Sequence, residues 1–127
     1  MKTAAINSSQ APLPDGGYSQ AMLIEGVPKI LFISGQIPET VNGETPDDFE
    51  SQCRLVWSNI KAQLKAAKMS ISNLVKITIF LSSREHADTN SIIRQEILGG
   101  HRPALTVIIT GIYEDKWLIE IEAIATS

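Results

Sequence analysis

VKITIFL, residues Val75–Leu81, decides how the rest of the chain is read. Val75, Ile77 and Ile79 alternate with Lys76 and Thr78, and the β-branched content is high, which is a strand pattern. Segments of helical period lie on both sides. Upstream, Phe49, Cys53, Val56, Ile60, Leu64 and Ala67 recur at steps of three and four and make one apolar stripe. Thr45 is placed to cap that helix, Pro46 suits a first helical position, and Asp47-Asp48 face the positive end of the dipole. Lys65 and Lys68 sit near its negative end. Downstream, residues 84–98 (REHADTNSIIRQEIL) put Ile93 and Ile97 on one face before Gly99-Gly100.

Further out the strand signals return. AMLIEGVPKILFISGQ, residues 21–36, reads as two short strands around the turn Glu25-Gly26-Val27-Pro28, and IPETVNGETP is the loop before the first helix. ALTVIIT and WLIEIEAIA, separated by the turn GIYEDK, are the last two strands. The order β-β-α-β-α-β-β, with hairpin-like ends, predicts an α+β two-layer sandwich: a mixed sheet with both helices on one face. VKITIFL, ALTVIIT and WLIEIEAIA carry apolar residues at both parities, Ile108-Ile109 among them. Both sheet faces therefore need cover, and a homo-oligomer supplies the second.

The 127 residues suit one domain spanning 1–127, with a core of useful size. A formal net charge of −3 argues against nucleic acid, whose phosphates need a basic stripe. Cys53 is the only cysteine, so neither an internal disulfide nor a thiolate metal cluster is available, which fits a reducing compartment. No segment has signal-peptide character or the length of a membrane span, and a cytoplasmic protein is expected. No phosphate loop and no HxxxH or CxxC metal spacing occurs.

Few residues announce chemistry. Glu120 and Glu122 share one face of an apolar strand, and two readings stand side by side. One carboxylate is a general base with an environment-raised pKa, or the pair only solubilises a wet face. His101-Arg102 is an anion clamp or a solvated loop leading into a strand. His86 and His101 have no triad spacing and read as surface residues, and Cys53 reads as core packing.

Three stretches change the picture: Gly17-Tyr18-Ser19-Gln20-Ala21, Phe32-Ile33-Ser34-Gly35-Gln36-Ile37-Pro38 and Ile119-Glu120-Ile121-Glu122-Ala123-Ile124-Ala125. With the strand Val75–Leu81 and the step Arg102-Pro103-Ala104 between them, they resemble the RidA/YjgF/L-PSP family over essentially the whole chain. The resemblance implies a chorismate-mutase-like fold assembled as a homotrimer, with small-molecule clefts between subunits. It also implies hydrolysis of reactive enamines and imines to 2-oxo acids and ammonia, with no cofactor and no metal. By the same resemblance Glu120 positions or activates water, and Tyr18, Gly35 and Asn90 line the cleft.

The chain departs from the family at the substrate anchor. An arginine that pairs with the substrate carboxylate is expected directly after Pro-Ala, and the residue there is Leu105. Losing such a pair costs roughly 2–5 kcal/mol, or about 30- to 4,000-fold in binding. Gly17 stands where the family has proline, Val107 where it often has cysteine, and the connection from Asn90 to Pro103 is shorter than usual. Arg102, three residues before Leu105, faces the opposite side if the strand already runs there, and only a loop conformation would let it substitute. The sequence thus supports a C=N hydrolase with an altered anchor at Leu105. The alternatives are a non-catalytic small-molecule-binding trimer and, against the acidic balance, a ribonuclease.

Overall fold

The computed structural model describes residues 2–10, 13–14, 16–26 and 29–127. Its strands are β1 (Lys2–Ile6), β2 (Ala21–Glu25), β3 (Ile30–Gln36), β4 (Leu74–Leu81), β5 (Ala104–Ile109) and β6 (Ile119–Thr126). Helix α1 (Phe49–Ala66) lies between β3 and β4, and α2 (Ala87–Leu98) between β4 and β5. Four strands form a sheet in the order β3-β6-β4-β5, in which β4 and β5 are parallel and the other pairs antiparallel. The mixed sheet and two helices are those expected.

The ends of the chain differ from the hairpins expected of them. β2 pairs with β1, a strand of weak apolar signal (KTAAI), in a separate two-stranded sheet. Val27 and Pro28, half of the expected turn, lie outside the described residues. At the other end, β6 does not fold back on β5 but inserts between β3 and β4. Its composition explains the choice. Ile119, Ile121, Ala123 and Ala125 are all buried, a full inward face that a central strand can satisfy, whereas β5 has three exposed residues and suits an edge.

Helix α1 starts three residues later than expected. The cap is Asp48, whose carboxylate accepts from the Ser51 amide at 2.9 Å, so Thr45 and Pro46 lie ahead of the helix. A carboxylate at this position both satisfies a free amide and complements the dipole, which a threonine hydroxyl does less well. Residues 84–86 form a separate 3-10 turn before α2.

Cys53, Val56, Trp57, Ile60 and Leu64 of α1 and Ile93 of α2 pack against Ile77, Ile79 and Leu81 of β4 and Ile119 and Ile121 of β6. Both helices therefore cover the same sheet face. Cys53 is fully buried and its thiol is pushed up to about 12, chiefly by burial, so it is a packing residue and not a nucleophile. The two histidines are not surface residues. His86 stacks on Phe49 with ring centroids 4.4 Å apart, and His101 Nε2–H donates to the Leu74 carbonyl at 2.6 Å. The second sheet face stays open and partly apolar, with Phe32 74% exposed and Ile30 and Ile108 also exposed. Among the described residues no helix is long and apolar enough to cross a membrane.

Candidate functional site

The open face holds the first candidate constellation. Pairing of β3 with β6 slips between Ile33 and Gln36, so Ser34-Gly35 form an irregularity with one residue more than the partner strand. Bulges of this kind bend a strand and re-aim its neighbours, and they favour glycine. The Glu120 carboxylate takes up the space beside Gly35: a Cβ built there would overlap Oε2 and lie 2.8 Å from Cδ. Glu120 also pairs in register with Phe80 of β4. With Phe80, Thr110, Gly111, Ile112 and Tyr113 it lines a cavity of about 380 Å³. Its carboxyl is raised above the ordinary glutamate range, first by burial and then by the neighbouring Glu122 charge. Glu122 itself is exposed, so the solubilising reading holds for one carboxylate and not for the other.

The second constellation lies at the β5 edge, on the helix-covered side. Segment 16–20 is tied there by Ser19, whose amide donates to the Pro103 carbonyl at 2.9 Å and which bridges Ala104 in parallel. Gly17 has φ +67°, a left-handed backbone that proline cannot adopt, which accounts for the absence of proline at this position. Between this segment, α2 and β5 is a cavity of about 510 Å³ lined by Gly16, Tyr18, Arg94, Gln95, Leu105 and Val107, among others. Leu105 pairs with Ile77, shares its face and packs against the core.

Arg94 was not singled out by sequence reasoning. It is only 5% exposed, and its Nη2 donates to the Gly16 carbonyl at 2.8 Å. The available signal was its place on α2: Asn90, Ile93, Arg94 and Leu98 recur at steps of three and four and are all buried. Asn90, one turn before Arg94, is buried with no partner for its Oδ1 among the described residues, and it lines neither cavity. Arg102 is exposed and lines neither cavity as well; it reaches toward Gly17, where an added Cβ would lie 3.4 Å from its Nη1. Asn90 apart, the expected site residues thus fall into two groups in one chain. Gly35 and Glu120 are together on the open face, Tyr18 and Leu105 are together at the edge, and the sheet lies between.

A mixed sheet with two helices on one face, a glycine bulge under a buried-shifted glutamate and an edge cavity below a Tyr-Ser-Gln segment define a Rid-type domain. The endoribonuclease L-PSP family model matches residues 8–127, and the chain belongs to that family, the RidA/YjgF/L-PSP group. A RutC family protein of Pyrococcus horikoshii is 37% identical over 122 residues, 94% of each chain. TdcF of Escherichia coli, named as a candidate reactive intermediate deaminase, is 30% identical over 124 residues, also 94% of each chain. The crystal structure of TdcF with bound serine superposes with a TM-score of 0.73 over 98% of both chains. YyfB of Yersinia pestis, a Rid protein of unknown function at 24% identity, shares the fold with a TM-score of 0.86 over the whole of both chains.

Proposed function

We propose that this protein hydrolyses the C=N bond of reactive imines, including those formed by tautomerisation of enamines, giving a 2-oxo compound and ammonia. The observation that carries the reading is Glu120: a carboxyl with a raised pKa, held beside Gly35 in a partly enclosed cavity. Such a group can take a proton from water near neutral pH and return it. As the water oxygen bonds to the imine carbon, the C=N π pair moves to nitrogen and Glu120 accepts the water proton. That proton passes to the nitrogen and gives a carbinolamine; the remaining hydroxyl proton then moves to the nitrogen by way of Glu120, the C–N bond breaks, and ammonia leaves as the carbonyl forms. No cofactor or metal is called for. TdcF, a 30% identical relative, was crystallised with serine, a small amino acid, which fits a substrate of this size.

The active assembly is a cytoplasmic homotrimer in which the Glu120 face of one copy meets the Tyr18–Leu105 edge of the next. Exposed Phe32 and Ile30 on the open face, and the separation of the two residue groups by the sheet, support this arrangement. The test is release of 2-oxo acid and ammonia when the protein is added to imines generated in place by an amino-acid oxidase. Acceleration that disappears in Glu120→Ala is expected, and no acceleration over buffer with several amino acids would overturn the reading. Leu105, an apolar side chain where the family anchors a carboxylate, favours one alternative, a non-catalytic trimer that binds a small molecule. A thermal shift with metabolites in the absence of turnover would favour that alternative.

A further inference from the structure

We infer that Arg94 is the anion-binding residue of the cavity between segment 16–20, α2 and β5, and that this cavity takes a small monocarboxylate. The cation lost at position 105 is supplied from the helix instead of the strand. The existence of the anion site does not depend on the function proposed above; only the naming of its ligand as a 2-oxo or 2-imino acid rests on that reading.

A guanidinium remains charged in proteins, and a buried charge is costly without a partner. Arg94 is 5% exposed, and its only described hydrogen bonds run from Nη2 to the Gly16 carbonyl and, stretched to 3.5 Å, to the Ser91 hydroxyl. Its Nε is buried with no partner among the described residues, and no described carboxylate forms an ion pair with it. Desolvation, the larger effect, lowers its pKa and the neighbouring Tyr18 raises it in part; a bound anion would offset the cost that remains. The surroundings select the anion's size and shape. Leu105 and Val107 give an apolar wall for a short alkyl chain, while Tyr18, Gln95 and Ser91 present polar groups around it. Arg102, the other cation nearby, is exposed and lines no part of this cavity.

The test is calorimetric titration of the full chain with 2-oxobutanoate and with its neutral amide, 2-oxobutanamide. Wild type is expected to bind the acid and not the amide, and Arg94→Met to bind the acid about 10- to 100-fold more weakly, as loss of a charge-assisted hydrogen bond predicts. Arg94→Lys, which keeps the charge but not the fork, is expected to fall between the two. Should Arg94→Met fail to fold, Val107→Glu decides the matter from an exposed edge position of the same cavity. Its carboxylate is expected to pair with Arg94, weaken acid binding at least about tenfold and raise Tm. Equal binding of acid and amide, no binding of either, or acid binding unchanged in Arg94→Met or Val107→Glu would overturn the assignment. Imine hydrolysis with unaltered KM in Arg94→Met would remove the anchor and leave the hydrolase reading intact. Arg94-dependent acid binding without hydrolysis would do the reverse.

Discussion

The Glu120 carboxylate fills the space a side chain at Gly35 would need: a Cβ there would overlap Oε2, with Cδ 2.8 Å away and Cγ 3.1 Å away. Only the end of a side chain stands in the way, so a larger residue at 35 displaces the carboxylate and not the backbone. Gly35 has no left-handed backbone that would make alanine costly by itself. Gly35→Ala is therefore expected to change stability by no more than about 1 kcal/mol. Imine hydrolysis should fall about 100-fold, the cost of misplacing a catalytic group by roughly 1 Å. Urea unfolding and kcat measured on the same variant check both halves. A loss of stability matching the loss of activity would contradict the steric account.

Glu120 also leaves a signature in stability against pH. Burial and the Glu122 charge raise its pKa in the folded state, so the native protein binds the proton more tightly than the unfolded chain does. Above the unfolded glutamate value of about 4.3, stability falls as pH rises, and it levels off once the folded carboxyl is ionised. Glu120→Gln should remove this part of the profile and leave the protein relatively more stable near neutrality. Urea midpoints from about pH 4 to 7 for the two proteins measure the difference. Parallel profiles would show that Glu120 titrates as an ordinary surface carboxylate.

Simple restoration of an arginine at 105 is expected to fail. Leu105 packs against the core and lines the cavity that Arg94 also lines, so Leu105→Arg takes a guanidinium from the core side into a cavity that already holds one. A destabilisation of roughly 1–3 kcal/mol is expected for the single change. Arg94→Met combined with Leu105→Arg returns the cavity to one cation and should recover most of that loss. The four proteins form a double-mutant cycle read by urea unfolding, and additive effects would show that the two positions do not share a charge environment.

How much of this was legible in the sequence depended on period. The stripe from Phe49 to Leu64 and the alternation in Val75–Leu81 exposed their burial directly, because helical and strand periods leave a face to read. Strand order left no such trace. β6 follows β5 in the chain but pairs with β3 and β4, and only its fully buried inward face distinguishes it from an edge hairpin. Among the site residues, Glu120 and Gly35 came through the family resemblance, and their contact required the bulge at Ser34-Gly35, which pairing alone reveals. Arg94 escaped notice because a charged residue beside an apolar stripe reads as a boundary of that stripe. Its burial depends on Gly16, from a segment 78 residues away, closing over it.

Gln52 illustrates the same blindness for stability, and its removal is the cleanest test of the fold. It is 1% exposed on α1, one residue before Cys53 of the apolar stripe. Its Nε2 donates to the carbonyls of Pro46 at 2.8 Å and Lys116 at 2.9 Å, while its Oε1 accepts from the Leu118 amide at 2.8 Å. One side chain thus fastens both the approach to α1 and the entry to β6, which begins one residue later at Ile119. Leucine is similar in size but leaves those three backbone groups unpaired in a region with little access to water. Gln52→Leu is expected to lose about 1–3 kcal/mol, the penalty for stranded buried polar groups, despite being the more apolar residue. Glutamate keeps one acceptor yet confronts two carbonyls with a charge, so Gln52→Glu should be worse at neutral pH and partly recover on acidification, when protonation restores a donor. Urea unfolding of both variants across pH separates these outcomes, and a Gln52→Leu protein as stable as wild type would mean that the side chain is not what holds β6 to the helix.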